Sequence, residues 1–123
     1  MKKSKIIVGL FALVLVACGE QQVPENMRSL ATGYEMYSKH CENCHGAEGE
    51  GLARLIPPLK NSDFLKKYPD SIAGIIRHGQ KGVITVNGIQ YNLAMPGNTV
   101  LTDDELSQLL NYVQTRFVSN QDK

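Results

Sequence analysis

The chain has 123 residues, enough for one domain of ordinary size and no more. Its 13 basic and 12 acidic side chains nearly cancel, 42% of its residues are hydrophobic, and it has no Trp. That balance excludes a basic nucleic-acid surface and is too slight to single out a charged partner.

Lys2, Lys3 and Lys5 open the chain, and an apolar run follows from Ile6 to Ala17. The run is shorter than the ~20 residues a bilayer span needs. It also lacks the polar face that a soluble core helix would show. A positive start, a short apolar core and the small residue Ala17 together form a secretory signal peptide over residues 1–17. Its end, Leu15-Val16-Ala17-Cys18, resembles the lipobox of bacterial lipoproteins. The resemblance implies a lipid on Cys18 and cleavage just before it; the alternative is an ordinary signal peptide with a chance cysteine. Three of the 13 basic residues leave with the leader, so ten remain against twelve acidic ones and the mature net charge is −2. The expected location is the cell envelope, outside the cytoplasm and on the periplasmic side, with the lipid as the membrane attachment.

Residues 18–26 read as a lipid-anchored tether, polar and short, with Pro24 inside it. At no more than ~3.6 Å per residue, this tether holds the domain within a few tens of ångströms of the membrane. The domain proper is expected over 27–123. Leu30, Gly33, Tyr34 and Tyr37 recur at helical spacing, which predicts a first helix over Met27 to His40. Gly46, Gly49, Gly51, Pro57 and Pro58 make the next stretch a loop. Asn61 or Ser62 caps a short helix through Lys67, and Pro69 with Asp70 or Ser71 starts another. Ile72, Ile75 and Ile76 give that helix its apolar stripe, and Gly79 stands just past its end. Val83 to Tyr91 reads as a hairpin around Asn87-Gly88. Thr102 and Glu105 form a capping box for the last helix, whose apolar face carries Leu106, Leu109, Leu110, Val113 and Phe117. The fold class is mainly α with one small β-hairpin. Few large apolar side chains lie between the terminal helices, so a bulky apolar group bound in the middle would complete the core.

Three cysteines in an exported chain leave one over. With Cys18 assigned to lipid, Cys41 and Cys44 remain, in Cys41-Glu42-Asn43-Cys44-His45. Cys-x-x-Cys-His is the attachment signature of c-type haem. Two thiols add to the two vinyl groups on one porphyrin edge, and the next residue places an imidazole under the iron. A thioredoxin-like redox pair would need a βαβ setting, which the pattern lacks. A zinc site would need His40 or His78 conscripted at unsuitable spacing. One covalent haem c, with His45 as proximal ligand, is the expected cofactor.

The sixth ligand is sought among Met27, Met36, Met95, His40 and His78. Met36 and His40 share the helix that carries the motif, and Met27 lies at its start. Met95, in Leu93-Ala94-Met95-Pro96-Gly97, is held in a loop by Pro96 and Gly97. Such a loop can drape across the other haem face. A thioether there raises the potential relative to a second His; the alternative is Met95 as a core gap-filler.

On these residues the stretch from about Ser29 to Phe117 resembles the class I cytochrome c family. Gly33 and Tyr37 are similar to the family's small residue and aromatic on the first helix, with Leu109 and Tyr112 at the matching places on the last. Pro57-Pro58-Leu59 resembles its Pro-x-Leu. The resemblance implies that the Pro57 carbonyl accepts a hydrogen bond from the proximal imidazole and that Leu59 presses on the haem. Such a bond fixes the imidazole tautomer. His78-Gly79 through Tyr91-Asn92 to Met95-Pro96 looks like a bacterial subgroup of the family. Tyr91 and Asn92 would hydrogen-bond the haem propionates or the Met sulfur, or serve the hairpin alone. His78 reads as structural.

The resulting expectation is an electron-transfer protein, not an enzyme: a single-electron carrier between redox partner proteins, with no small-molecule substrate. An electron-entry subunit of a larger membrane-bound oxidoreductase is the alternative. An enzyme such as a peroxidase would want an open sixth position, and Met95 argues against one.

Overall fold

A computed structural model describes residues 22–119, so the leader, Cys18 and the first part of the tether lie outside the described residues. Helix α1 (Glu25–His40) follows Pro24 and starts two residues earlier than the sequence pattern suggests, so Glu25 and Asn26 belong to the helix and not to the tether. Proline suits a helix start because its missing N–H would have no partner there. Cys41 breaks α1 at φ −124° and starts the single turn α2 (Glu42–His45). Ser62 caps α3 (Asp63–Lys67), its hydroxyl accepting the Leu65 N–H at 3.2 Å. A 3₁₀ turn at Pro69–Ser71 leads into α4 (Ile72–His78).

Strands β1 (Ile84–Val86) and β2 (Ile89–Tyr91) pair antiparallel, with Ile84 opposite Tyr91 and Val86 opposite Ile89. Asn87 and Gly88 both take positive φ (50° and 77°), the twisted two-residue turn that matches the strand twist. The hairpin tip is tied to α3: the Asp63 N–H donates to Asn87 Oδ1 at 3.0 Å, and the Asn87 N–H donates to Asp63 Oδ1 at 2.7 Å.

Helix α5 (Asp103–Val113) carries the full Thr102–Glu105 capping box, then widens into a π turn over Gln114–Val118 that holds Phe117 in the core. Leu106, Leu109, Val113 and Phe117 are buried, while Leu110 is half-buried at the edge of the stripe. The crossing of α1 over α5 is the mechanical centre. Gly33 meets the Gln108 carbonyl and lies, at its would-be Cβ, 2.6 Å from Tyr112 Cβ, so only glycine permits this approach. Tyr37, Leu109 and Phe117 are fully buried beneath it. The Tyr37 and Phe117 rings are 5.2 Å apart, and Tyr37 and Tyr112 5.5 Å. The Tyr37 hydroxyl donates to the Gly46 carbonyl at 2.6 Å, which fastens α1 to the loop after α2.

Candidate functional site

The break at Cys41 turns the chain so that Cys41, Cys44 and His45 share one wall. The His45 and Cys44 amides both donate to the Cys41 carbonyl, at 2.9 and 3.1 Å. His45 is buried and Cys41 half-buried, while Cys44 reaches the surface. The following loop folds back upon itself. Gly51 N–H donates to the His45 carbonyl at 2.8 Å, and the Leu59 and Lys60 amides both donate to the Gly49 carbonyl, at 2.8 and 3.0 Å. These bonds bring the Pro57 carbonyl 3.1 Å from His45 Nδ1.

That contact decides the imidazole's chemistry. With Nδ1–H donating to Pro57, Nε2 keeps its lone pair for a metal. Burial holds the imidazole below its ordinary pKa, against the opposing pull of the Pro57 carbonyl, so the neutral ligating form is favoured. Burial, reinforced by Cys44, pushes the Cys41 thiol up to about 11.

A second wall comes from α3, α4 and the hairpin, with Leu65, Ile72, Ile76, Ile84 and Val86 among its side chains. Met95 reaches the same cavity from the segment after β2, where Gln80 and Met95 exchange backbone hydrogen bonds at 3.0 and 2.9 Å. Asn98 N–H adds a bond to the Ile76 carbonyl at 2.8 Å. The Met95 loop is thereby fixed to the end of α4.

Between these walls lies a cavity of about 210 Å³. Its donor set is two thiols, two imidazoles (His40 and His45) and one thioether, set in largely apolar surroundings with no carboxylate or ammonium in the lining. A flat apolar macrocycle with a central iron fits these residues. A hydrated divalent cation does not, since it wants oxygen ligands.

The structure brings together Cys41, Cys44, His45, Pro57, Leu59, Tyr91 and Met95 around this cavity. Asn92 is the exception: it is exposed and does not line the cavity. Asn92 follows the last residue of β2 and is exposed, while Tyr91 is buried at the strand's end. Met27, Met36 and His78 also lie outside the lining. His40, a half-buried imidazole, lines the cavity beside Cys41, on the wall that carries the motif. Sequence reading also missed Gln80 and the buried Ser62 in the wall. Ser62 was visible only as a cap, and Gln80 takes its place through a pairing 15 residues distant that no local pattern announces.

The exposed part of the cavity lining is uncharged and includes Cys44, Leu55, Gly82, Leu93 and Ala94. Leu55 and Leu93 are 56% and 60% exposed, a large apolar surface to leave in water beside a cavity.

Residues 28–113 match the family model described as cytochrome C oxidase, cbb3-type, subunit III. The chain belongs to this cytochrome c family. It is therefore a class I c-type cytochrome, an electron-transfer protein with covalently bound haem c and not a catalytic enzyme. The cytochrome is 34% identical over 86 residues to the "Alcohol dehydrogenase (quinone), cytochrome c subunit" of Gluconacetobacter polyoxogenes and, at the same identity, to that of Komagataeibacter europaeus. The match covers 68% of this chain and 18% of each relative. With the corresponding subunit of Gluconobacter oxydans (strain 621H) it is 31% identical over 91 residues, covering 72% of this chain and 19% of that one. The cytochrome thus spans less than a fifth of the length of these curated relatives.

Proposed function

We propose that the protein is a single-electron carrier with one haem c, joined to Cys41 and Cys44, ligated by His45 and Met95, and tied to the outer face of a bacterial membrane by a lipid on Cys18. The observation that carries this reading is the convergence of the Cys41–Cys44–His45 wall and Met95 on one apolar cavity. Bound there, haem c supplies a single reversible electron at its iron.

The chain's own residues do the rest. The Pro57 carbonyl holds His45 in the tautomer that presents Nε2. Met95, fixed by the Gln80 bridge, offers a soft thioether that favours iron(II) and so raises the potential relative to a second His. His40 immediately precedes Cys41 and sits on the wall that carries the attachment motif, which leaves Met95 as the sixth ligand. Leu65, Ile72 and Ile76 exclude water from the cavity. His45, held by the Pro57 carbonyl, and Met95, held by the Gln80 bridge, would stay in place in both oxidation states of a bound haem c, so little would reorganise with its electron. The uncharged rim around Cys44, Leu55 and Leu93 is where a redox partner comes closest.

A redox titration of the purified protein, followed by its visible spectrum, tests this reading. One one-electron wave with a low-spin spectrum in both states is expected; two waves, or a high-spin ferric form, would overturn it. Cys18→Ala should release the protein from the membrane fraction or block its processing. A second reading, an electron-entry subunit of a larger oxidoreductase, draws on the relatives that are themselves cytochrome c subunits. Co-purification with a catalytic subunit in mild detergent would favour it over a free carrier.

A further inference from the structure

The first turns of α1 carry apolar side chains that the fold does not cover. Val23 is 51% exposed, Met27 58% and Tyr34 52%, and Leu30 between them is half-buried. Met27, Leu30 and Tyr34, three and four residues apart, share one side of α1, and Val23 lies just ahead of the helix, before Pro24. Gly33 and Tyr37, on an adjoining side of the helix, face α5 and satisfy that contact; Val23 and Met27 extend beyond it. Tyr34 leans on Tyr112 at 5.8 Å yet still shows half its surface, an apolar body with a polar tip. Arg28 and Glu35 occupy a separate side of the helix. Among the described residues no helix is long and apolar enough to cross a membrane, so this stripe suits a surface and not a span.

We propose that the Met27–Tyr34 side of α1, with Val23 just ahead of it, rests on the lipid surface, so that the lipid on Cys18 fixes an orientation and does not merely tether a freely turning domain. The inference rests on the reading of Cys18 as lipidated. It follows from chain length: Val23 is five residues from Cys18, and five residues reach at most ~18 Å. Val23 and the start of α1 therefore lie within that reach of the membrane surface whatever path the tether takes. An apolar helix side with an aromatic residue at its margin is what the headgroup boundary receives well. Met27 lies fourteen residues before Cys41, ~21 Å along the helix at 1.5 Å per residue. The cavity rim, from Cys44, Leu55 and Leu93, is built by other segments and stays outside the buried side, available to a partner.

The test uses the lipidated, haem-loaded protein in vesicles of phosphatidylethanolamine and phosphatidylglycerol. With Cys41 and Cys44 in thioether bonds and Cys18 acylated, a new cysteine is the sole site for a nitroxide. Val23→Cys and Met27→Cys are compared with Thr85→Cys, an exposed hairpin position. Spectra are taken in the reduced state, with oxygen and a water-soluble nickel chelate as relaxing agents, and flotation of the vesicles is measured on the same samples. The proposal expects labels at 23 and 27 to be several-fold more accessible to oxygen relative to nickel than the label at 85. Protein that floats with equal, water-like labels at all three positions overturns the resting surface and leaves the anchor intact. Protein that fails to float overturns the anchor, and the proposal with it.

Discussion

Gly79 and Gly97 stand so close that neither has room for a side chain. A Cβ on Gly79 would lie 2.9 Å from Gly97 N, and one on Gly97 3.0 Å from Gly79 N. Gly79 also ends α4 at φ +83°, a conformation that side chains resist, and touches the Met95 carbonyl. The same two glycines therefore stop a helix and set the place of Met95. Gly79→Ala should destabilise the protein by about 1–3 kcal/mol. In the ferric protein, the weak methionine-to-iron absorption band should vanish at lower denaturant than the helical signal. Coincident loss of both would show that Gly79 supports the fold without a special hold on Met95.

Gly33 tests the other end of the architecture. A methyl group there would strike the Gln108 carbonyl and stand 2.6 Å from Tyr112 Cβ. Gly33→Ala should force α1 and α5 apart at a cost of about 2–4 kcal/mol, more than the gain in helix propensity returns. Denaturant unfolding of the haem-loaded protein measures it. An unchanged midpoint would mean that the two helices slide apart freely.

Tyr37→Phe isolates a single hydrogen bond. The Tyr37 hydroxyl is buried and donates to the Gly46 carbonyl, next to His45. Its loss should cost about 1–2 kcal/mol, while the ring remains against Phe117 and the spectrum stays that of a six-coordinate low-spin haem. A changed spectrum would give Tyr37 a direct part in ligation.

The pH response follows from the capping box. The Thr102 N–H donates to Glu105 at 2.8 Å, and with the Thr102 hydroxyl at 2.9 Å it holds the Glu105 carboxyl below its ordinary pKa. A group depressed in the folded state adds stability above its unfolded pKa and loses it as pH falls through the folded value. Wild type should lose stability on acidification below the ordinary glutamate range, and Glu105→Gln should lose less over that interval. Denaturant midpoints at several acidic pH values check this; parallel curves would contradict it.

The local signals that the sequence carries were read at nearly full value. The capping box at Thr102, the Asn87-Gly88 turn, the Ser62 cap and the glycine after α4 each act within a few residues, and the structure has each where the pattern puts it. What escaped depends on tertiary approach. Asn92 stands next to Tyr91 in the sequence, but it lies past the end of β2 and is exposed. His40 lines the cavity from the wall that carries the motif, a contact that its place beside Cys41 in the sequence does not by itself announce. Gln80 bridges to Met95 through a contact between two loops. The exposed rim of Leu55 and Leu93 looks, in sequence, like any loop leucine.

The most direct measurement of the central claim is carbon monoxide binding to the reduced protein, because a firm His45–Met95 pair leaves no position for a small ligand. Wild type should bind it slowly or not at all, and Met95→Ala should bind it readily while retaining covalent haem, since Cys41, Cys44 and His45 are untouched. Rapid binding by wild type, with no further gain in Met95→Ala, would contradict the account and leave Met95 a side chain of the cavity wall.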